Sequence, residues 1–324
     1  MAKDKQEKVR PPELTISPEL KKKVDELIKA THKDGVEYWS EEITETIYVP
    51  IDIGEIRVLH VKPKKPKNKR ILLFIPGWGV TNDEFNDIYE ILHEDVEFYY
   101  IETREKSTSR IKRWRTNLRV SEKAKDIQIV IDYFNLNDKD FFIGGPCWGS
   151  TVDLTGLKEK TIKAPAIVAF DPAYKLAFSP FLIRLGAIIP AFVVTIIKRI
   201  LKFFILRGMK EERQRERTAA FIDSAEAWKW MRSAFQNRKL NMFDIFGELE
   251  EEIPVFNGTK DKFHPQEVYP EMAKAMPNGR FFYMEADESD RERLQGIIMR
   301  EFAMVDGKAG IPKLFLEFEK ELKR

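Results

Sequence analysis

The chain has 324 residues, 43% hydrophobic and 33% charged, with 55 basic against 53 acidic side chains and a net charge of +2. That balance excludes a global field that would recruit nucleic acid, and the length suffices for one large core or two modest ones. A single cysteine excludes an internal disulfide, and His32, His60, His93 and His264 are too scattered for metal-ligand spacing, so the sequence predicts a reducing, cytoplasmic setting with no cofactor and no metal.

In chain order, residues 1–16 read as a charged, disordered tail, and Met1 to Pro12 lacks the apolar run of a secretory signal. Ser17 can cap a helix running from Pro18 to about Lys33, with Leu20, Val24, Leu27 and Ile28 as its apolar stripe. Glu45–Ile51 and Glu55–Val61 alternate and carry β-branched residues, so they read as an antiparallel pair. Lys62–Arg70 is a basic, proline-broken loop. Ile71–Ile75 reads as a buried strand, Asn82 to Leu92 as a helix, Val96–Ile101 as a strand and Val120–Phe134 as an amphipathic helix. Phe141–Gly144 is a further strand, as is Ala166–Phe170 before Asp171-Pro172. Residues 173–247 contain no convincing strand. Pro254–Asn257 and Arg280–Met284 complete the strands, with helices expected over Pro265–Met276, Ser289–Phe302 and Pro312–Lys323. Strands alternating with helices predict an α/β fold with a mostly parallel sheet covered on both faces.

The chemistry concentrates at Gly145-Pro146-Cys147-Trp148-Gly149, directly after the apolar Phe141-Phe142-Ile143. Small residues two positions either side of a nucleophile are what a sharp strand-to-helix turn requires, because the backbone there is strained and its neighbours crowd it. The following helix would turn its free N–H groups and positive dipole end toward the sulfur. The plainer alternative is a small buried cysteine in a glycine-rich turn.

From residue 45 to 305 the chain resembles the α/β-hydrolase superfamily. Ile75-Pro76-Gly77-Trp78-Gly79 is similar to that family's oxyanion loop, Phe141–Gly149 to its strand and nucleophile elbow with Gly145 and Gly149 flanking the nucleophile, and Val255–Asp261 to its acid-bearing strand end. The resemblance implies Cys147 as nucleophile, Asp261 as acid, and the backbone N–H groups of Trp78 and Trp148 as oxyanion donors. It implies a tail and helix over 1–44, the first part of the core over 45–172, a helical cap over 173–247, and the rest of the core with C-terminal helices over 248–324. Three departures stand out. The elbow carries cysteine where serine is usual. Glu102–Ser109 lacks the usual glycines. The segment Glu285–Asp290, where the family places its histidine, has none. His264, three residues after Asp261, is the one substitute base, with a helix-capping or exposed loop histidine as the plainer alternative; Asp171 is the second candidate acid, and Glu288 and Asp290 read as solvated capping residues.

Within the insertion, 185–197 is too short to span a bilayer and Pro190 breaks it, while Lys198, Arg199 and Lys202 alternate with apolar residues as in a basic amphipathic helix. Packing on the core and peripheral membrane contact through 181–207 are both open readings. The expected function is hydrolysis of an ester, thioester or related acyl substrate with an apolar chain through Cys147. A catalytically lapsed protein that binds an apolar ligand, a membrane surface or a protein partner is the first alternative. An acyltransferase is the second: the Gly-x-Cys-x-Gly pattern is similar to that of cysteine hydrolases such as dienelactone hydrolases and of acyltransferases such as polyhydroxyalkanoate synthases.

Overall fold

The computed structural model describes residues 11–114, 116–176, 178–209, 212–259 and 265–323, so most of the expected N-terminal tail lies outside the described residues. Ser17 caps the first helix, α1 (Pro18–Lys29), its hydroxyl accepting the Leu20 N–H at 3.2 Å. Pro18 stands in the first turn, where a missing N–H costs nothing. Val24 and Ile28 are buried, each contributing about 1.5–3 kcal/mol of transfer free energy.

The chain continues through β1 (Thr44–Ile51), β2 (Gly54–Val61), β3 (Ile71–Phe74), α2 (Asn86–Leu92), β4 (Phe98–Ile101), β5 (Arg110–Ile111), α3 (Val120–Tyr133), β6 (Phe141–Pro146), α4 (Trp148–Lys158) and β7 (Ile167–Phe170). Four helices follow, α5 (Pro180–Ile188), α6 (Ala191–Arg207), α7 (Glu212–Ser224) and α8 (Ala227–Gln236). The sheet then resumes with β8 (Ile253–Asn257), α9 (Val268–Ala275), β9 (Gly279–Tyr283), α10 (Arg291–Met304) and β10 (Glu319–Lys320).

The strands lie in the order β1-β2-β4-β3-β6-β7-β8-β9-β10, with β5 beside β2. From β4 to β9 every pairing is parallel, while β1–β2, β2–β4 and β9–β10 are antiparallel. The inner strands read as unbroken apolar runs because both faces are covered. Their period of two still sorts them. Leu73, Ile143, Val255 and Phe281 join one core with residues of α3, α4 and α9; Leu72, Phe142, Phe256 and Phe282 join the other with α1, α2 and α10. After β3 the chain runs out to β4 and returns to β6 on the other side of β3. Such a reversal opens a crevice at the carboxyl ends of the two strands, where ligands bind in open α/β sheets.

The expected helix over Pro312–Lys323 does not form. Lys313–Phe318 is a tight 3₁₀ turn, and Glu319 and Lys320 pair with Phe282 and Phe281 as an edge strand. The spacing of the buried Phe315 and Phe318 suits three residues per turn, and Glu319 receives the Arg280 Nε–H at 2.7 Å across the strand pair. An exposed edge of β9 gains a partner in this way.

Candidate active site

Cys147 joins β6 to α4 with φ 53° and ψ −112°. A side chain in that region costs about 1–3 kcal/mol, so the surroundings must hold it there. Its N–H donates to the Phe170 carbonyl on β7 at 2.8 Å, and its carbonyl accepts from the N–H groups of Thr151 and Ala173 at 3.3 and 3.2 Å. Ser150 reinforces the turn: its hydroxyl donates to the Gly145 carbonyl and accepts the Phe170 N–H. The two flanking glycines answer to one atom. A Cβ on Gly145 or on Gly149 would lie 1.9 Å from the carbonyl oxygen of Ile75, where β3 passes beneath the turn. Cys147 itself is partly exposed and forms no disulfide.

The loop Pro76-Gly77-Trp78-Gly79 folds over this turn, and a Cβ on Gly77 would stand 3.8 Å from that of Cys147. Among the described residues the backbone N–H groups of Trp78 and Trp148 donate to no carbonyl; that of Trp148 is the first of α4, which has no partner within the helix. The loop is held from above by α8. Trp230 stacks on Trp78 with ring centroids 4.9 Å apart, and the Trp78 Nε1–H donates to Ser233 Oγ at 3.2 Å. Gly79 has φ 73°, and a Cβ there would strike the Trp230 indole at 2.3 Å.

From below, the loop rests on charges that the sequence reading passed over. Glu102, Thr103, Arg104, Glu105 and Lys106, directly after β4, are all buried. Lys106 Nζ donates to the carbonyl of Gly77. That carbonyl belongs to the same planar peptide unit as the Trp78 N–H, so a cation on its oxygen polarises the N–H at the other side. Burial pushes the Lys106 amine down to about 8, against the pull of Glu105 and Glu102. Burial raises the Glu105 carboxyl, but Lys123 at 2.9 Å and Lys106 at 4.0 Å outweigh it and hold the group at about 2. Lys123 Nζ also donates to Ser233 Oγ at 3.2 Å, and Lys229 of α8 donates to the carbonyls of Lys106 and Ser109 at 2.8 Å. Arg104 binds Asp126 through Nε at 2.6 Å and reaches Asp52 at 3.1 Å. The signal was present in the sequence: Glu-Thr-Arg-Glu-Lys follows an apolar strand, and Lys123 and Asp126 flank Ala124 on the buried side of α3. A further acid, Asp153, is fully buried in α4. Its oxygens bond to no described group, and burial pushes its pKa well up.

Asp261 and His264 lie outside the described residues. The segments that follow β8 and β9 lie side by side: the Ala286 N–H donates to the Gly258 carbonyl at 3.1 Å, and a Cβ on Gly258 would lie 1.6 Å from the Met284 carbonyl. Asp287 and Glu288 are exposed, while Asp290 is half-buried at the head of α10. Asp171 stands one residue beyond Phe170, whose carbonyl receives the Cys147 N–H, and accepts the Asn257 amide on Oδ1. Among the remaining histidines, His60 stacks on Tyr99 at 4.1 Å and meets Glu97, and His93 Nδ1 sits 3.0 Å from the carbonyls of Tyr89 and Glu90. Both are absorbed by the fold. Among the described residues no group of three or more His, Cys, Asp or Glu could hold a metal ion.

No protein-family profile matches the chain, and no curated protein matches it by sequence. Solved structures do match. An esterase from Exiguobacterium antarcticum is 15% identical with a TM-score of 0.65, covering 80% of this chain and 99% of that one. An esterase from Thermogutta terrifontis is 16% identical with a TM-score of 0.60, covering 80% and 97%. A bacterial membrane phospholipase A is 14% identical with a TM-score of 0.60, covering 88% and 90%. The sheet order and these likenesses give the chain the α/β-hydrolase fold.

Proposed function

We propose that the protein transfers acyl groups from an ester or thioester, with an apolar chain, to water through Cys147. The observation that carries the reading is the turn itself: a nucleophilic side chain held at φ 53° between two glycines, beneath a loop with a free backbone N–H. A strained conformation so heavily supported is the mark of a functional residue rather than of a filler in a turn. Esterases and a phospholipase A among the structural likenesses are consistent with it.

In this reading Cys147 Sγ attacks the substrate carbonyl carbon. The carbonyl electrons move to oxygen, which the N–H groups of Trp78 and Trp148 receive. Collapse breaks the bond to the leaving group, which departs with the thiol proton carried by His264. Water then attacks the thioester and gives one proton to His264, the carbon–sulfur bond breaks, and that proton from the water passes to the sulfur as the acid leaves. Asp261 or Asp171 orients the base. An alcohol or thiol in place of water turns the same steps into acyl transfer.

The test is acylation of Cys147 by p-nitrophenyl esters from acetate to palmitate, followed by intact mass, with iodoacetamide labelling between pH 5 and 9 alongside. The expected result is a burst of about one equivalent of p-nitrophenol per chain followed by continuing release, an acyl adduct absent in Cys147→Ala, and acylation slowed by about 10²-fold or more in His264→Ala. No adduct with any ester, and labelling no faster than that of free cysteine, overturns the reading. The lapsed-enzyme alternative would then stand, favoured by the lack of histidine in Glu285–Asp290.

A further inference from the structure

The helical insertion is built inside out. In α6 two lysines turn toward the protein: Lys198 Nζ donates to the Ala225 carbonyl at 2.8 Å and the Asp223 carbonyl at 3.3 Å, and Lys202 pairs with the Asp223 carboxylate. The apolar residues face outward. Phe192, Ile196, Ile200 and Phe204 recur every fourth position at 68%, 55%, 53% and 63% exposure, and no residue of the helix is buried. On the adjoining α5, Phe181 and Ile188 are 72% and 81% exposed. A surface helix in water shows the opposite arrangement, with its apolar stripe toward the core. So many large apolar side chains exposed on two successive helices are rarely left in water.

Charge identifies what covers it. Residues 172–209 contain no Asp or Glu, although the whole chain has 53 in 324 residues. The same stretch carries Lys175, Arg184, Lys198, Arg199, Lys202 and Arg207. Arg184, Arg199 and Arg207 are exposed beside the apolar residues. A second copy of this chain would bring two identical cationic surfaces together, and the excess of positive charge would oppose their union. An anionic lipid surface satisfies both features at once: acyl chains receive the phenylalanines and isoleucines, and headgroups receive the arginines, whose long stems let the charge stay at the interface. No helix among the described residues is long and apolar enough to cross a membrane, and Pro190 separates α5 from α6, so the pair lies along the surface rather than through it. We propose that the outer face of α5 and α6 docks the protein on the surface of an anionic bilayer. The docking stands independently of the chemistry at Cys147.

The test is flotation of the full chain with phosphatidylglycerol–phosphatidylcholine vesicles and with pure phosphatidylcholine vesicles, compared with Phe204→Glu, Ile200→Glu and Arg199→Glu/Arg207→Glu. These side chains are exposed, so the variants should fold, which circular dichroism checks. The expected result is flotation with the anionic vesicles that falls about tenfold or more in either apolar variant and severalfold in the arginine variant or at high salt. Equal flotation on both vesicles would overturn the anionic preference, and none on either would overturn the docking. A dimer by sedimentation that dissolves in Phe204→Glu, without vesicle binding, would assign the face to a second copy and overturn the proposal too.

Discussion

At the scale of single residues, the buried lysine under the Pro76–Gly79 loop is the feature with the sharpest consequence. Lys106 donates to the Gly77 carbonyl, and the peptide it touches supplies the Trp78 N–H. If the proposed chemistry holds, Lys106 is a positioning residue that acts through that peptide. Its amine, held near 8, carries its charge at neutral pH and loses it above. Replacing it by methionine should slow acylation of Cys147 by about 10–100-fold with little change in KM. The pH profile separates this from a structural role. Acylation by the unaltered protein should decline as pH rises through about 8, and Lys106→Met should lack that decline. A profile of unchanged shape in the variant would mean that the cation only fills space.

At the scale of elements, the elbow is decided by the contact between β3, β6 and α4. Gly149→Ala places a methyl 1.9 Å from a backbone oxygen that has nowhere to retreat, since Ile75 is tied by its own N–H to the Gly144 carbonyl at 3.0 Å. Gly149→Ala should therefore destabilise the protein by about 3 kcal/mol or more, measured by urea unfolding, although alanine is the better helix former by about 1 kcal/mol. An unchanged midpoint would show that β3 can shift away from α4. Helix α8 acts on the same site from the other side, since its Trp230 and Ser233 hold Trp78 while its Lys229 holds the segment beneath. The insertion thus reaches the candidate site through the Pro76–Gly79 loop.

For the whole molecule, the sheet divides two apolar cores, and the first of them shelters a layer of paired charge. Glu105 links Lys106 and Lys123, which in turn reach Gly77 and Ser233. Its carboxyl ionises near 2 in the folded protein against an ordinary 4.5. A depressed carboxyl contributes stability that is full above 4.5 and is lost as pH falls through about 2. At neutral pH that contribution is of order 3 kcal/mol. Glu105→Gln should lower the urea midpoint strongly at pH 7, where it leaves two buried lysines short of a partner, and the gap should narrow toward pH 2. A gap that stays constant with pH would assign the loss to packing instead of charge. The buried Asp153 works in the opposite sense, because an acid whose folded pKa is raised contributes stability at low pH and loses it as pH rises.

The sequence by itself determined the parts of this protein that depend on neighbours along the chain. Alternating apolar runs and their punctuation gave the antiparallel β1–β2 pair, the parallel inner strands and the Ser17 cap, and two glycines around Cys147 marked the turn. Those signals are local, since a strand face or a helix cap is set within a few residues. Tertiary structure decided the rest. In sequence Glu102–Lys106 stands out only as part of a stretch without the usual glycines, and contact with Lys123, Asp126 and Gly77 makes it a buried frame beneath the candidate site. The segment after Pro312 has a helical composition, yet the free edge of β9 draws it into a strand. Helix α6 has an apolar stripe that sequence can locate but cannot aim. The aim follows from Asp223 and Ala225, whose oxygens take Lys198 and Lys202 and so turn the stripe outward. Partners this distant in sequence meet only once the chain has folded, because a charge or an edge states what it needs and not where it will find it.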